Sequence, residues 1–328
     1  MNILNKEIFQ NCIDVVKVNN KVCPIRFSEK QMNFYKGYNK MSMVRSFCPS
    51  GICIKGMTNA TYLKLKFSIE KGKCREWAYF DLFVNDTLVE SSSADVLEEG
   101  LTQTIVFDLA KYLSNENGVN ITLYLPHSVT IFFDEICISE EAYFNKTANR
   151  DKKLMCVGDS ITQGMDAKHP SSTYPVLLSN YFNMDLINGG IGGFVFDEDS
   201  LDENLKYKPD IITVAYGTND WSRDYTINEF EEKCYKYLEK LKTIYNKSKI
   251  YVITPFWRLN PDDEKKPGTL FDMIDVINKV SKGLELEVIN GFELIPNMCE
   301  YFGDGRLHPK DEGFLHIALN LSKRINLE

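Results

Sequence analysis

The chain has 328 residues, 44% hydrophobic and 26% charged, the composition of a globular protein long enough for two domains. Its formal net charge of -8 argues against a nucleic acid as partner, and no apolar run is long enough to span a membrane. The first residues, Met1 to Phe9, lack the apolar core of a secretion signal.

Cysteine usage points to the same compartment. Cys12, Cys23, Cys48, Cys53, Cys74, Cys137, Cys156, Cys234 and Cys299 are odd in number and contain no Cys-x-x-Cys pair. They read as reduced thiols in a cytoplasmic protein. With only four histidines and no close Cys/His pairs, a structural metal is not expected.

Residues 1–147 read as an all-β accessory domain, a sandwich of jelly-roll type without helices. Short runs rich in β-branched and aromatic residues occur at 61–67, 79–84, 104–107, 121–125 and 129–133. Asn85-Asp86 and Ser114 to Gly118 read as turns between them. The aromatic stripe Trp77, Tyr79, Phe80 and Phe83 reads as sandwich core rather than a sugar platform. The polar stretch 145–152 reads as a linker.

Residues 148–328 change pattern, with strands alternating with amphipathic helices. Strands are predicted at 153–157, 184–188, 210–216, 249–254 and 286–290, and helices at 172–182, 227–245, 269–283 and 311–325. Such alternation implies a parallel sheet with helices on both faces. Ligands of open α/β sheets bind at the carboxyl ends of the strands. Three of these ends carry suggestive residues: Gly158-Asp159-Ser160, Asn188-Gly189-Gly190-Ile191-Gly192-Gly193, and Gly217-Thr218-Asn219-Asp220. Near the C-terminus, Asp304-Gly305-Arg306-Leu307-His308-Pro309 supplies a histidine. A serine needs a base within hydrogen-bond reach and donors for an oxyanion before it can attack an ester, and these four stretches contain both.

In this order the four stretches resemble the SGNH (GDSL) hydrolase superfamily over residues 153–328. The resemblance implies a flavodoxin-like three-layer α/β/α fold and the hydrolysis of esters or thioesters without a metal or cofactor. It implies Ser160 as nucleophile and His308 as general base. It further implies oxyanion donation by the backbone N–H groups of Ser160 and Gly193 and by the Asn219 amide. The family's acid stands three residues before the histidine, where this chain has Gly305; Asp304 lies one residue further back. Two arrangements stay open: a Ser160–His308–Asp304 triad with a longer loop, or a Ser-His dyad oriented by a carbonyl.

His127, His169 and His316 read as structural, with His169 alone a candidate for lining the pocket. Trp221 and Arg258, just past strand ends, are candidates for shaping it. The N-terminal part is similar to the β-sandwich that precedes the catalytic domain in some bacterial esterases, acyltransferases and sugar deacetylases. The expected activity is that of a serine esterase acting on a small acyl group, acetyl on a carbohydrate being one case. The substrate would be a small-molecule or carbohydrate ester, with no nucleic acid or membrane partner and an oligomeric state the sequence leaves open. Two alternatives stand beside it: an acyltransferase with an alcohol acceptor, and an inactive glycan-binding module.

Overall fold

The computed structural model describes residues 1–73, 75, 77–94, 98–113 and 118–327. Cys74 and all of the expected turn at 114–118 except Gly118 lie outside them.

The N-terminal part runs through β1 (Phe9–Gln10), β2 (Asp14–Val18) and β3 (Lys21–Ile25) to two helices, α1 (Glu29–Tyr38) and α2 (Lys40–Ser46). It continues with β4 (Cys53–Thr58), β5 (Tyr62–Lys71), β6 (Ala78–Val84), β7 (Thr87–Ala94), β8 (Gln103–Asp108), β9 (Val119–Tyr124), β10 (Val129–Ile138) and β11 (Phe144–Lys146). One antiparallel sheet has the order β1-β4-β9-β6-β7, with β11 also on β4; the other has the order β2-β3-β10-β5-β8. Their inner faces share an apolar core that includes Leu65, Phe67, Phe80, Leu123 and Phe133. The rings of Phe67 and Phe80 meet edge to face with centroids 5.2 Å apart.

Three expectations are corrected here. First, α1 and α2 stand where no helix was expected. Ser28 and Gln31 form a capping box at the start of α1, each side chain satisfying the other's backbone N–H. The helices bury aromatic residues against the C-terminal part, with the Tyr35 and Tyr38 rings 5.3 and 5.1 Å from that of Phe194. Second, the stripe 77–83 is not one core. Strand side chains alternate in direction, so Phe80, Leu82 and Val84 fill the sandwich while Phe83 packs on the helical layer behind. Tyr79 lies against His169, and Trp77 donates its indole N–H to the Ala167 carbonyl. β6 is buried on both faces, which is why it reads as a nearly unbroken apolar run. Third, Asn145 and Lys146, expected to open the linker, are paired in β11.

The C-terminal part is a five-stranded parallel sheet: β12 (Lys153–Gly158), β13 (Asp185–Gly190), β14 (Ile211–Ala215), β15 (Lys249–Ile253) and β16 (Glu287–Ile289). Helices α3 (Ser160–Gln163) and α4 (Tyr174–Tyr181) follow β12, α5 (Ile227–Ile244) follows β14, α6 (Leu270–Gly283) follows β15 and α7 (Asp311–Ser322) closes the fold. Along β12, Met155 and Val157 point into a core shared with α5 and α6, whereas Leu154 and Cys156 point into one shared with α4 and α7. This is the three-layer arrangement expected. The strand order β13-β12-β14-β15-β16 reverses direction at β12. The crevice outside the carboxyl ends of β12 and β14 is therefore the topological switch point. Among the described residues, no helix is long and apolar enough to cross a membrane.

Candidate active site

At the carboxyl end of β12 the chain turns at once into α3, and Ser160 is its first residue. Asp159 caps the turn by accepting from the Ile161 N–H at 2.9 Å. The turn is so tight that a Cβ on Gly158 would lie 2.1 Å from Thr162 Oγ1 and 2.7 Å from the Ala215 carbonyl oxygen. Ser160 is almost wholly buried, and its Oγ lies 2.9 Å from His308 Nε2.

His308 comes from the loop before α7. Its Nδ1 lies 2.7 Å from Asp304 Oδ2, four residues back. The other carboxylate oxygen accepts the backbone N–H groups of Arg306, Leu307 and His308 at 3.0, 2.8 and 3.1 Å. Gly305, at φ +70°, takes the left-handed turn that absorbs the extra residue. Burial alone would raise the Asp304 carboxyl, but the imidazole and the three N–H donors outweigh it and hold it well below the usual carboxylate range. Asp304 is thus both the knot of its own loop and the partner of the imidazole.

Of the expected oxyanion donors, the Ser160 and Gly193 N–H groups have no acceptor among the described residues. The Asn219 amide nitrogen, by contrast, donates to Asp159 Oδ2 at 3.2 Å and to the Phe194 carbonyl at 3.1 Å. Asp159 is fully buried, and burial pushes its carboxyl up to about 7.

Residues of the N-terminal part reach this edge, and nothing in their sequence context announced them. The buried Arg26 guanidinium donates to the carbonyls of Asn188 and Gly190 in β13. Arg45 donates to the Gly192 carbonyl at 2.6 Å. That carbonyl belongs to the same peptide unit as the Gly193 N–H. On the other side, Arg223 donates to the Gly193 carbonyl at 2.8 Å.

The remaining candidates lie as follows. His169 is held by Asp81, 3.1 Å from Nδ1, at the junction of the two parts. His127 is buried between β9 and β10, and His316 packs edge-on against Tyr301. Trp221 is fully buried with its indole N–H on the Gly268 carbonyl, and Arg258 lies over its ring while reaching Thr218. Asp166, Asp304 and His308 bring three donor atoms within 4.8 Å of one another. His308 and Asp304 are hydrogen-bonded to each other and Asp166 pairs with Arg75 through Oδ1, while Asp166 Oδ2 is buried without a hydrogen-bond partner among the described residues. The described cysteines form no disulfide with one another.

A parallel sheet with a serine, a histidine and an aspartate linked at its switch point, fronted by antiparallel sheets, has the layout of the two-part carboxylic ester hydrolases. Residues 156–314 match the GDSL-like Lipase/Acylhydrolase family, and this part of the chain is a GDSL/SGNH hydrolase domain. No curated protein matches the chain. Among solved structures, a salicylyl-acyltransferase from a tetracycline biosynthetic pathway, SsfX3, superposes with a TM-score of 0.81 at 16% identity, over 98% of this chain and 95% of that one. A GDSL-like lipase assigned in Bacteroides ovatus gives 0.71 at 19% identity, over 90% and 89%. An acetyl xylan esterase from the rumen bacterium Butyrivibrio proteoclasticus gives 0.57 at 14% identity, over 84% and 88%. At these identities the likeness is one of fold.

Proposed function

We propose that the protein is a serine esterase that removes a small acyl group, such as acetyl, from a carbohydrate or a comparable alcohol. The observation that carries this reading is the hydrogen-bonded chain from Ser160 Oγ through His308 to Asp304. His308 Nε2 takes the hydroxyl proton as Oγ attacks the ester carbonyl, and Asp304 stabilises the imidazolium that forms. The Ser160 and Gly193 N–H groups receive the oxyanion. His308 returns the proton to the departing alcohol, and water activated by the same nitrogen then releases the acyl group from Ser160. Asn219 acts by tying the buried Asp159 carboxyl group to the Phe194 carbonyl through its amide nitrogen. The carbohydrate element draws support from the acetyl xylan esterase among the structural neighbours. Residues 1–147 form the accessory domain and 148–328 the catalytic one in this reading.

The test is hydrolysis of p-nitrophenyl acetate by the wild type and by Ser160→Ala, both checked for folding by circular dichroism. Activity confined to the wild type is the expected result; equal rates in both proteins exclude Ser160 as nucleophile. A second reading, transfer of the acyl group to an alcohol in place of water, draws on the whole-chain likeness to an acyltransferase. Product analysis with added alcohols separates the two.

A further inference from the structure

Beside Gly193, one of the two oxyanion donors, lies a cavity large enough for a small organic ion. It has a volume of about 510 Å³ and is walled by α2 on one side and by Gly192, Gly193 and Asn219 on the other. Lys40, Arg45 and Arg223 all line it, and no carboxylate does. None of the three cations forms an ion pair among the described residues, in a chain whose formal net charge is -8. The nearby carboxylate, Asp220, is fully buried behind the wall and accepts from the Tyr225 hydroxyl and from the N–H groups of Gly217 and Phe196. Arg45 and Arg223 each spend guanidinium donors on a carbonyl of the glycine loop, and a guanidinium has five N–H groups to spend.

We propose that this cavity is a subsite for an anionic group, a carboxylate or a phosphate, carried by the ester substrate. The inference rests on the reading of Ser160 as nucleophile and narrows its substrate class from acetyl to small acyl groups that end in an anion. Three unneutralised cations converging on one small cavity would repel one another, and an anion bound there relieves that repulsion. His308 is not part of the cavity wall, and the leaving oxygen must stay within reach of His308 Nε2. The anion therefore belongs to the acyl half, on the far side of the oxyanion donors.

The experiment compares kcat/KM for p-nitrophenyl hemiglutarate with that for the neutral p-nitrophenyl valerate, and for 4-acetoxybenzoate with that for phenyl acetate. A preference of about tenfold for hemiglutarate over valerate is expected, as for a charge-assisted contact in a partly desolvated site. The preference should shrink in high salt, invert in Lys40→Glu and return in Lys40→Arg. A preference confined to 4-acetoxybenzoate would retain the anionic subsite and move it to the alcohol half. Equal rates for charged and neutral esters, unmoved by salt and by Lys40→Glu, overturn the subsite while leaving the esterase reading intact. Should no ester be turned over, the esterase reading falls. The subsite is then judged by calorimetry with glutarate: binding lost in Lys40→Glu supports it, and no binding to the wild type overturns it.

Discussion

The Arg26 guanidinium donates a hydrogen bond at 3.0 Å to the carbonyl of Gly190, a residue 164 positions further along the chain. It also donates to the carbonyls of Cys48, Asn188 and Arg45. A buried charge is tolerated here because peptide dipoles replace its hydration. Arg26→Met would leave those carbonyls unsatisfied and should cost about 3–5 kcal/mol of unfolding free energy in urea titrations. A cost below about 1 kcal/mol would mean that water takes over the carbonyls.

Asp304→Asn retains an oxygen for the loop N–H groups but offers the imidazole an amide in place of a carboxylate. The imidazole would then be held in the wrong tautomer. On a neutral ester kcat should fall by about 10³–10⁴ with little change in KM or stability. A fall of less than about tenfold would show that the ring is oriented without the carboxylate.

Arg45 touches no reacting atom, yet it holds the peptide unit whose N–H is Gly193's. A hydrogen bond to a peptide carbonyl polarises the N–H at its other end. Arg45→Ala should therefore lower kcat on neutral p-nitrophenyl acetate by about tenfold while KM stays near its wild-type value, the pattern of a contact that matters mainly in the transition state. A change confined to KM would assign Arg45 to ground-state binding alone.

His127 gives stability a pH dependence. Burial pulls its ring down to about 4. In the unfolded chain the ring takes up a proton near about 6.5. Between those values the unfolded state binds more protons than the folded one, so stability falls as the pH drops through this window. The loss approaches about 3 kcal/mol at the acid end. Denaturation at neutral pH and at about pH 4.5 should show a smaller difference for His127→Leu than for the wild type.

The parallel sheet was legible because its strands are apolar runs separated by helices such as α5, whose apolar residues recur at three and four. The GDSL/SGNH resemblance was legible because residue types needed together sit at successive strand ends. Helix α1 escaped notice although Ser28 and Gln31 carried its start signal, because its apolar face is aromatic and its neighbours are strands. The stripe on β6 misled because burial on both faces hides the period of two. The spacing of Asp304 to His308 left the acid open, since only the backbone turn at Gly305 shows how five residues close on themselves. Arg26, Arg45 and Arg223 were invisible because a lone arginine carries no mark of the distant carbonyl it will meet.

The grip of the N-terminal part on the glycine loop also sets an order of events during synthesis. Arg26 and Arg45 precede their carbonyl partners Asn188 and Gly192 by 162 and 147 residues. A chain made from its N-terminus has both arginines outside the ribosome before the loop emerges. The loop thus condenses onto a surface already made, and the catalytic edge takes its shape as a casting takes that of its mould.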